Sequence, residues 1–210
     1  MPTELLDGVY DITCREEPSG KRYRVFLTTA GTPTLLDAGL EDTTQAVFDG
    51  IAEIGVEPER LIITHGDGDH MAGFDAVVDR YDVETWVPEQ TDVDTEHAPD
   101  HRYGDGVEIG RFTAVHVPGH EPDNHALIDE DAGIAVMGDA VSGADQRGLP
   151  AGHFHLPPAV YSQDLNQAEE NLERLLAYDF EVGLVYHGSS VLEAADEKLD
   201  RYVNFPGKPT

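Results

Sequence analysis

The segment His65-Gly66-Asp67-Gly68-Asp69-His70 constrains this chain more than any other. It places four metal-ligating side chains within six residues, and its two glycines allow a tight backbone path. Residues 61–64 before it form an apolar run of strand length, and residues 71–81 after it carry Phe74, Val77 and Val78 at helical spacing. The spacing predicts a strand–loop–helix unit that holds the loop rigidly from both ends. Imidazole and carboxylate together select Zn, Mn or Fe over Ca, which prefers an all-oxygen shell. The one cysteine, Cys14, can make neither a thiolate cluster nor an intramolecular disulfide.

The rest of the chain repeats an order of strands followed by helices. Short β-branched or aromatic runs at 9–12, 23–28 and 34–37 predict strands, and residues 43–54 a helix with Ala46, Val47, Ile51 and Ile54 on one face. Residues 91–106 are polar and rich in Asp, His, Pro and Gly, which predicts a long loop dividing two halves. The second half predicts strands at 107–109, 112–118, 126–129 and 134–138. A Pro- and His-rich loop then runs to Tyr161, followed by a helix over 165–178, a strand at 182–186 and a last helix. Trp86 and the apolar positions Leu172, Leu175 and Leu176 are expected in the core. The order suggests two sheets packed face to face with helices outside, in one domain spanning residues 1–210.

Three later motifs each put one ligand type at the end of an apolar strand: Pro118-Gly119-His120, Gly138-Asp139-Ala140 and Tyr186-His187-Gly188. Seven ligands suit two metals. The ordered set H-x-[H/D]-x-D-H, P-G-H, G-D and H-G resembles the metallo-β-lactamase-fold superfamily, and its glyoxalase II-like small members more than the antibiotic-degrading ones. The resemblance implies a mixed α/β (α+β) fold, a four-layer αββα sandwich with a dinuclear site at one edge. Carried over by position, it implies that His65, Asp67 and His120 bind one ion, that Asp69, His70 and His187 bind the other, and that Asp139 bridges them.

That site implies a metal-dependent hydrolase. Two divalent ions, zinc first, can bring a water to hydroxide near neutral pH and take up charge on the attacked oxygen of an ester, thioester, lactone or related bond. Asp69 would orient the hydroxide as the catalytic residue besides ligating, and Asp139 would set the spacing of the ions. Asp67 departs from the pattern, because most hydrolases of the family have a second histidine there. A carboxylate favours manganese or iron, or falls short and leaves the first site weak. An acid at this position also keeps open a non-haem iron redox enzyme of the same fold, persulfide dioxygenase-like, and behind it a non-catalytic binding protein. His153, His155 and Tyr161 lie in a region that lines the substrate pocket in the family, and either contact substrate or face water. His125 reads as a satisfied structural histidine rather than a support to the ligands, His116 as structural, and His97 and His101 are given no role.

Thirteen basic against 42 acidic residues give a net charge of −29, a field that repels nucleic acid and anionic membrane surfaces. Only Lys21, Lys198 and Lys208 are lysines, and the acids are spread along the whole chain, as in proteins adapted to extreme salt. The expected partner is a small-molecule substrate, with a homodimer possible. The N-terminus lacks a basic segment followed by an apolar stretch, and no run reaches membrane-spanning length, so a cytoplasmic location is expected.

Overall fold

The computed structural model describes residues 1–18 and 20–205. They form two compact units, Met1–Gly104 and a second from Asp105 onward, so the break falls at the end of the expected dividing loop.

The first unit is built on one seven-stranded sheet in sequential order: β1 (Thr3–Leu6), β2 (Val9–Glu16), β3 (Arg22–Thr28), β4 (Thr34–Leu36), β5 (Arg60–Ile62), β6 (Glu84–Pro88) and β7 (His101–Tyr103). β1 to β4 are antiparallel, and β4 to β7 are parallel. Parallel neighbours need a crossover, which α1 (Thr44–Ile54) supplies between β4 and β5, and α2 (Gly68–Met71) with α3 (Phe74–Tyr81) between β5 and β6. Alternate strand residues Val25, Leu27, Leu35, Leu61 and Ile63 pack against Val47 and Ile51 of α1 and Phe74 and Val77 of α3. Their intervening neighbours Phe26, Leu36 and Ile62 point to the other face and are equally buried. α1 approaches β2 so closely that a Cβ at Gly50 would lie 2.6 Å from Ile12 Cγ2.

Five expectations shift here. β1 and β6 form where no strand was expected, and β7 forms inside the expected loop, with Tyr103 fully buried and its hydroxyl donating to the Ile63 carbonyl at 2.6 Å. Part of the 65–70 loop winds into the single turn α2. Trp86 is only partly buried and stacks on His101 with centroids 4.1 Å apart. The expected strand at 61–64 ends at Ile62, beyond which Ile63 N–H still bonds the Trp86 carbonyl.

The second unit has a five-stranded sheet ordered β14-β11-β10-β9-β8, from β8 (Glu108–Ile109), β9 (Phe112–His116), β10 (His125–Asp129), β11 (Ile134–Val136) and β14 (Val182–Leu184). A separate hairpin pairs β12 (Ser142–Gly143) with β13 (Phe154–His155), strands too short to leave an alternating pattern. The expected helix over 165–178 is α4 (Leu165–Asn171), tightening into a 3-10 turn over Leu172–Ala177. α5 (Ala195–Val203) is the last helix. Leu172, Leu175, Ala195, Leu199 and Val203 pack over Val115, Ala126, Ile128 and Ala135 of the sheet, and Leu176 is half-buried against them.

Candidate metal centre

In the first unit the donors sit beyond the carboxyl ends of parallel strands, where α/β sheets place their binding crevices. β4 and β5 are adjacent, with Leu36 opposite Ile62, so the residues that follow them, Asp37 and Thr64, emerge side by side. Asp37 N–H bonds the Ile62 carbonyl at 2.9 Å, and Ala38 N–H bonds the His70 carbonyl at 2.7 Å, which draws the His65–His70 segment over the strand ends. Gly73 completes this clamp: its N–H bonds the Gly39 carbonyl, and a Cβ there would lie 2.3 Å from the Ala38 carbonyl oxygen.

Asp37, beside the donors, is a residue that sequence reasoning missed, as are Ser162 and Asn124. Asp37 is fully buried, and its backbone is in the left-handed region at φ 62°, which few residues other than Gly, Asn and Asp adopt. Its carboxylate accepts from Thr64 N–H at 2.6 Å, Thr64 Oγ1–H at 2.7 Å and His70 Nδ1 at 2.7 Å. A carboxylate only accepts, so His70 carries its proton on Nδ1 and presents a lone pair on Nε2. The Thr64 hydroxyl has one hydrogen and gives it to Asp37, so its oxygen accepts from His65 Nδ1 at 3.0 Å. His65 thereby has the same tautomer. One buried carboxylate turns two imidazoles, with ring centroids 4.0 Å apart, into Nε2 donors. Asp67 brings a carboxylate oxygen 3.8 Å from His65 Nε2, and the ligand atoms of Asp69 and His70 lie within 4.8 Å of each other.

In the second unit His120, Asp139 and His187 come together from three strand ends. Asp139 Oδ2 is 3.5 Å from His120 Nε2 and 3.2 Å from His187 Nε2, and all three side chains are buried. Ser162 Oγ donates to the Pro158 carbonyl and so accepts from His120 Nδ1 at 3.3 Å, which leaves His120 Nε2 as another lone-pair donor. Two buried imidazole nitrogens converging on one buried carboxylate oxygen make a donor set that fits divalent metal. Asn124, fully buried, fixes the geometry. Its amide NH2 donates to the Val117 carbonyl at 3.1 Å, and its Oδ1 accepts Asp139 N–H at 2.9 Å, which ties the Pro118-Gly119-His120 turn to the Asp139 turn. Gly138 has φ 52°, and a Cβ there would lie 2.7 Å from Asn124 Oδ1.

The other histidines are engaged elsewhere. His125 is buried with Nδ1 on the Asp123 carbonyl at 2.7 Å, and burial pushes its pKa down to about 4, as befits a neutral structural residue. His116 bonds the Pro122 carbonyl, His97 pairs with Asp79 and His101 with Glu84. His153 and Tyr161 are exposed, and His155 bonds the Leu156 carbonyl at 2.8 Å. Burial raises the pKa of the Cys14 thiol, whose sulfur donates to the Tyr23 carbonyl.

The chain is similar to known proteins. The chain is 22% identical over 196 residues to a protein of Bacillus subtilis (strain 168) named "Probable metallo-hydrolase YflN", covering 73% of this chain and 74% of that one. Among solved structures it resembles a metallo-beta-lactamase from Pontibacter korlensis, with TM-score 0.77, 19% identity and 97% of both chains covered. It also resembles a metallo-beta-lactamase family protein from Thermus thermophilus, with TM-score 0.70, 17% identity and coverage of 96% and 80%. At these identities the structures show the fold alone, and it is the expected metallo-β-lactamase fold. The model of the metallo-beta-lactamase superfamily matches residues 24–189, most of the chain, and this protein belongs to that superfamily.

Proposed function

We propose that the chain is a metal-dependent hydrolase acting on an ester, thioester, lactone or related bond of a small metabolite. In this reading His65, Asp67 and His120 hold one divalent ion and Asp69, His70 and His187 the other, with Asp139 shared. The observation that carries it is Asp37, a fully buried carboxylate whose hydrogen bonds leave Nε2 of both His65 and His70 as donors. Such metals, when bound, lower the pKa of water and stabilise negative charge on an attacked oxygen. The chain's own contribution is to aim the imidazoles through Asp37 and Ser162, to lock the Asp139 turn through Asn124, and to offer Asp69 as the acceptor that orients the attacking group. Zinc is the first choice of metal. The acidic composition supports work at high salt and argues against a nucleic-acid partner.

A second reading has a specific observation behind it. Asp67 reaches to 3.8 Å from His65 Nε2, so the carboxylate is a usable ligand. Two histidines and a carboxylate form the donor set of non-haem iron oxygen chemistry, for which a persulfide is the candidate substrate.

A turnover panel in molar KCl separates the two. It covers thioesters, lactones, aryl esters, phosphodiesters, sulfate esters and persulfides, each with Zn, Mn and Fe. Hydrolysis that disappears in folded His70→Ala and Asp139→Ala variants supports the first reading. Oxygen consumption on a persulfide with iron alone supports the second, and unchanged rates in both variants overturn the assignment of the site.

A further inference from the structure

His187 lies at the tip of a short excursion from the sheet. The chain leaves β14, passes through His187 and returns at Val191, where Gly183 and Val191 exchange two backbone hydrogen bonds of 2.8 and 2.9 Å. Inside that closure Val185 N–H donates to Ser190 Oγ at 3.3 Å. The outer part of the loop meets the chain that follows Asp139. Gly143 N–H bonds the His187 carbonyl at 2.8 Å, Ser189 N–H donates to Asp145 Oδ1 at 2.7 Å, and the Ser189 hydroxyl donates to Asp145 Oδ2 at 2.7 Å. The fit leaves no slack. A Cβ at Gly143 would lie 2.4 Å from Ser189 N, and one at Gly188, where φ is 77°, would lie 2.5 Å from the Gly143 carbonyl oxygen.

We infer that Asp145 is the positioning residue of His187, setting the affinity of the metal subsite that His187 serves. This rests on the metal reading proposed above. Both Asp145 oxygens are engaged by donors of the one residue two places beyond His187, and bonds to a charged acceptor are about twice as strong as neutral ones. The Gly183–Val191 and Gly143–His187 bonds are backbone bonds between neutral groups, and the Val185 bond ends on the neutral Ser190 hydroxyl. Asp145 also sits six residues after Asp139, so it links the loop of one donor to the chain carrying another. Without it, Gly188 could swing and His187 Nε2 would lose its fixed place 3.2 Å from Asp139 Oδ2.

The test is zinc titration of the full-length protein in molar KCl against a chromophoric chelator, with thermal melting of each metal-free variant alongside. Wild type is expected to take up two equivalents, and His187→Ala marks the one that His187 serves. Asp145→Ala should weaken that same equivalent by about 10- to 100-fold while the other is held as before. Asp145→Asn keeps both contacts, with the Ser189 hydroxyl turned to accept, but as neutral bonds, and should leave an affinity between those of Asp145→Ala and wild type. Ser189→Ala removes one contact and leaves the backbone bond; it should weaken the same equivalent by less, and it carries the test if Asp145→Ala does not fold. Two wild-type affinities in folded Asp145→Ala or in Ser189→Ala, or an equal loss at both sites, would overturn the assignment of Asp145. Fewer than two equivalents in wild type would instead overturn the metal reading beneath it.

Discussion

Replacing Asp37 with asparagine tests how the first unit presents its imidazoles. Asparagine has the same shape and tolerates the left-handed backbone at φ 62°, so the fold is disturbed little. Its single acceptor can keep the Thr64 N–H bond, but an amide NH2 then faces His70 Nδ1 and Thr64 Oγ1, both of which donate in the wild type. His70 must then accept at Nδ1 and carry its proton on Nε2, where the metal lone pair stood. The three charge-assisted bonds become neutral ones, a loss of about 1 kcal/mol each and about 3 kcal/mol together. At about 2–4 °C per kcal/mol for a chain of this size, the metal-free protein should melt about 6–12 °C lower. Metal affinity should fall by about 10- to 100-fold. Competition with a chromophoric chelator measures the affinity, and circular dichroism measures the melt. Wild-type zinc affinity in Asp37→Asn would refute the tautomer argument, whatever the melting temperature did.

Two further outcomes concern the second unit. His125 is held neutral by burial with a pKa of about 4 against an ordinary 6.5, so between those pH values the unfolded chain binds more protons and stability falls as pH drops. The full loss is about 3 kcal/mol below pH 4; with His116, Asp105 and Asp123 as its charged or titratable neighbours, His125→Gln should flatten that part of the stability profile, and an unchanged slope in denaturant titrations would contradict this. Gly119→Ala would put a Cβ 2.1 Å from Ala168 N on α4, at φ 137°. Backbone strain and overpacking together should cost about 3 kcal/mol or more, and a wild-type melting temperature would show that the turn bearing His120 can move away from the helix.

The parts legible in the sequence were those written in adjacent residues. The apolar run before His65, the glycines inside the loop and the helical spacing after it identify the strand, loop and helix without reference to distant chain. His120, Asp139 and His187 are legible because each interrupts or ends an apolar run. Asp37 carries the same signal, a charged residue directly after Leu35-Leu36, but its partners Thr64 and His70 lie 27 and 33 residues away, and only the parallel pairing of β4 with β5 joins them. Asp145 is less visible still, because its partner Ser189 lies 44 positions on. β7 was hidden because only Tyr103 of its three residues is buried, which leaves no alternation to read. The helix over 165–178 kept its apolar positions, yet side-chain spacing does not distinguish an α-helix from a last turn wound tighter.

The proposed function requires divalent metal at His65, Asp67, Asp69, His70, His120, Asp139 and His187. Elemental mass spectrometry of untagged protein, purified in molar KCl with no chelator at any step, measures this directly. Two first-row divalent ions per chain, lost together with turnover in Asp139→Ala, is the result predicted. Protein that arrives without metal and takes up neither Zn, Mn nor Fe when they are added would contradict it.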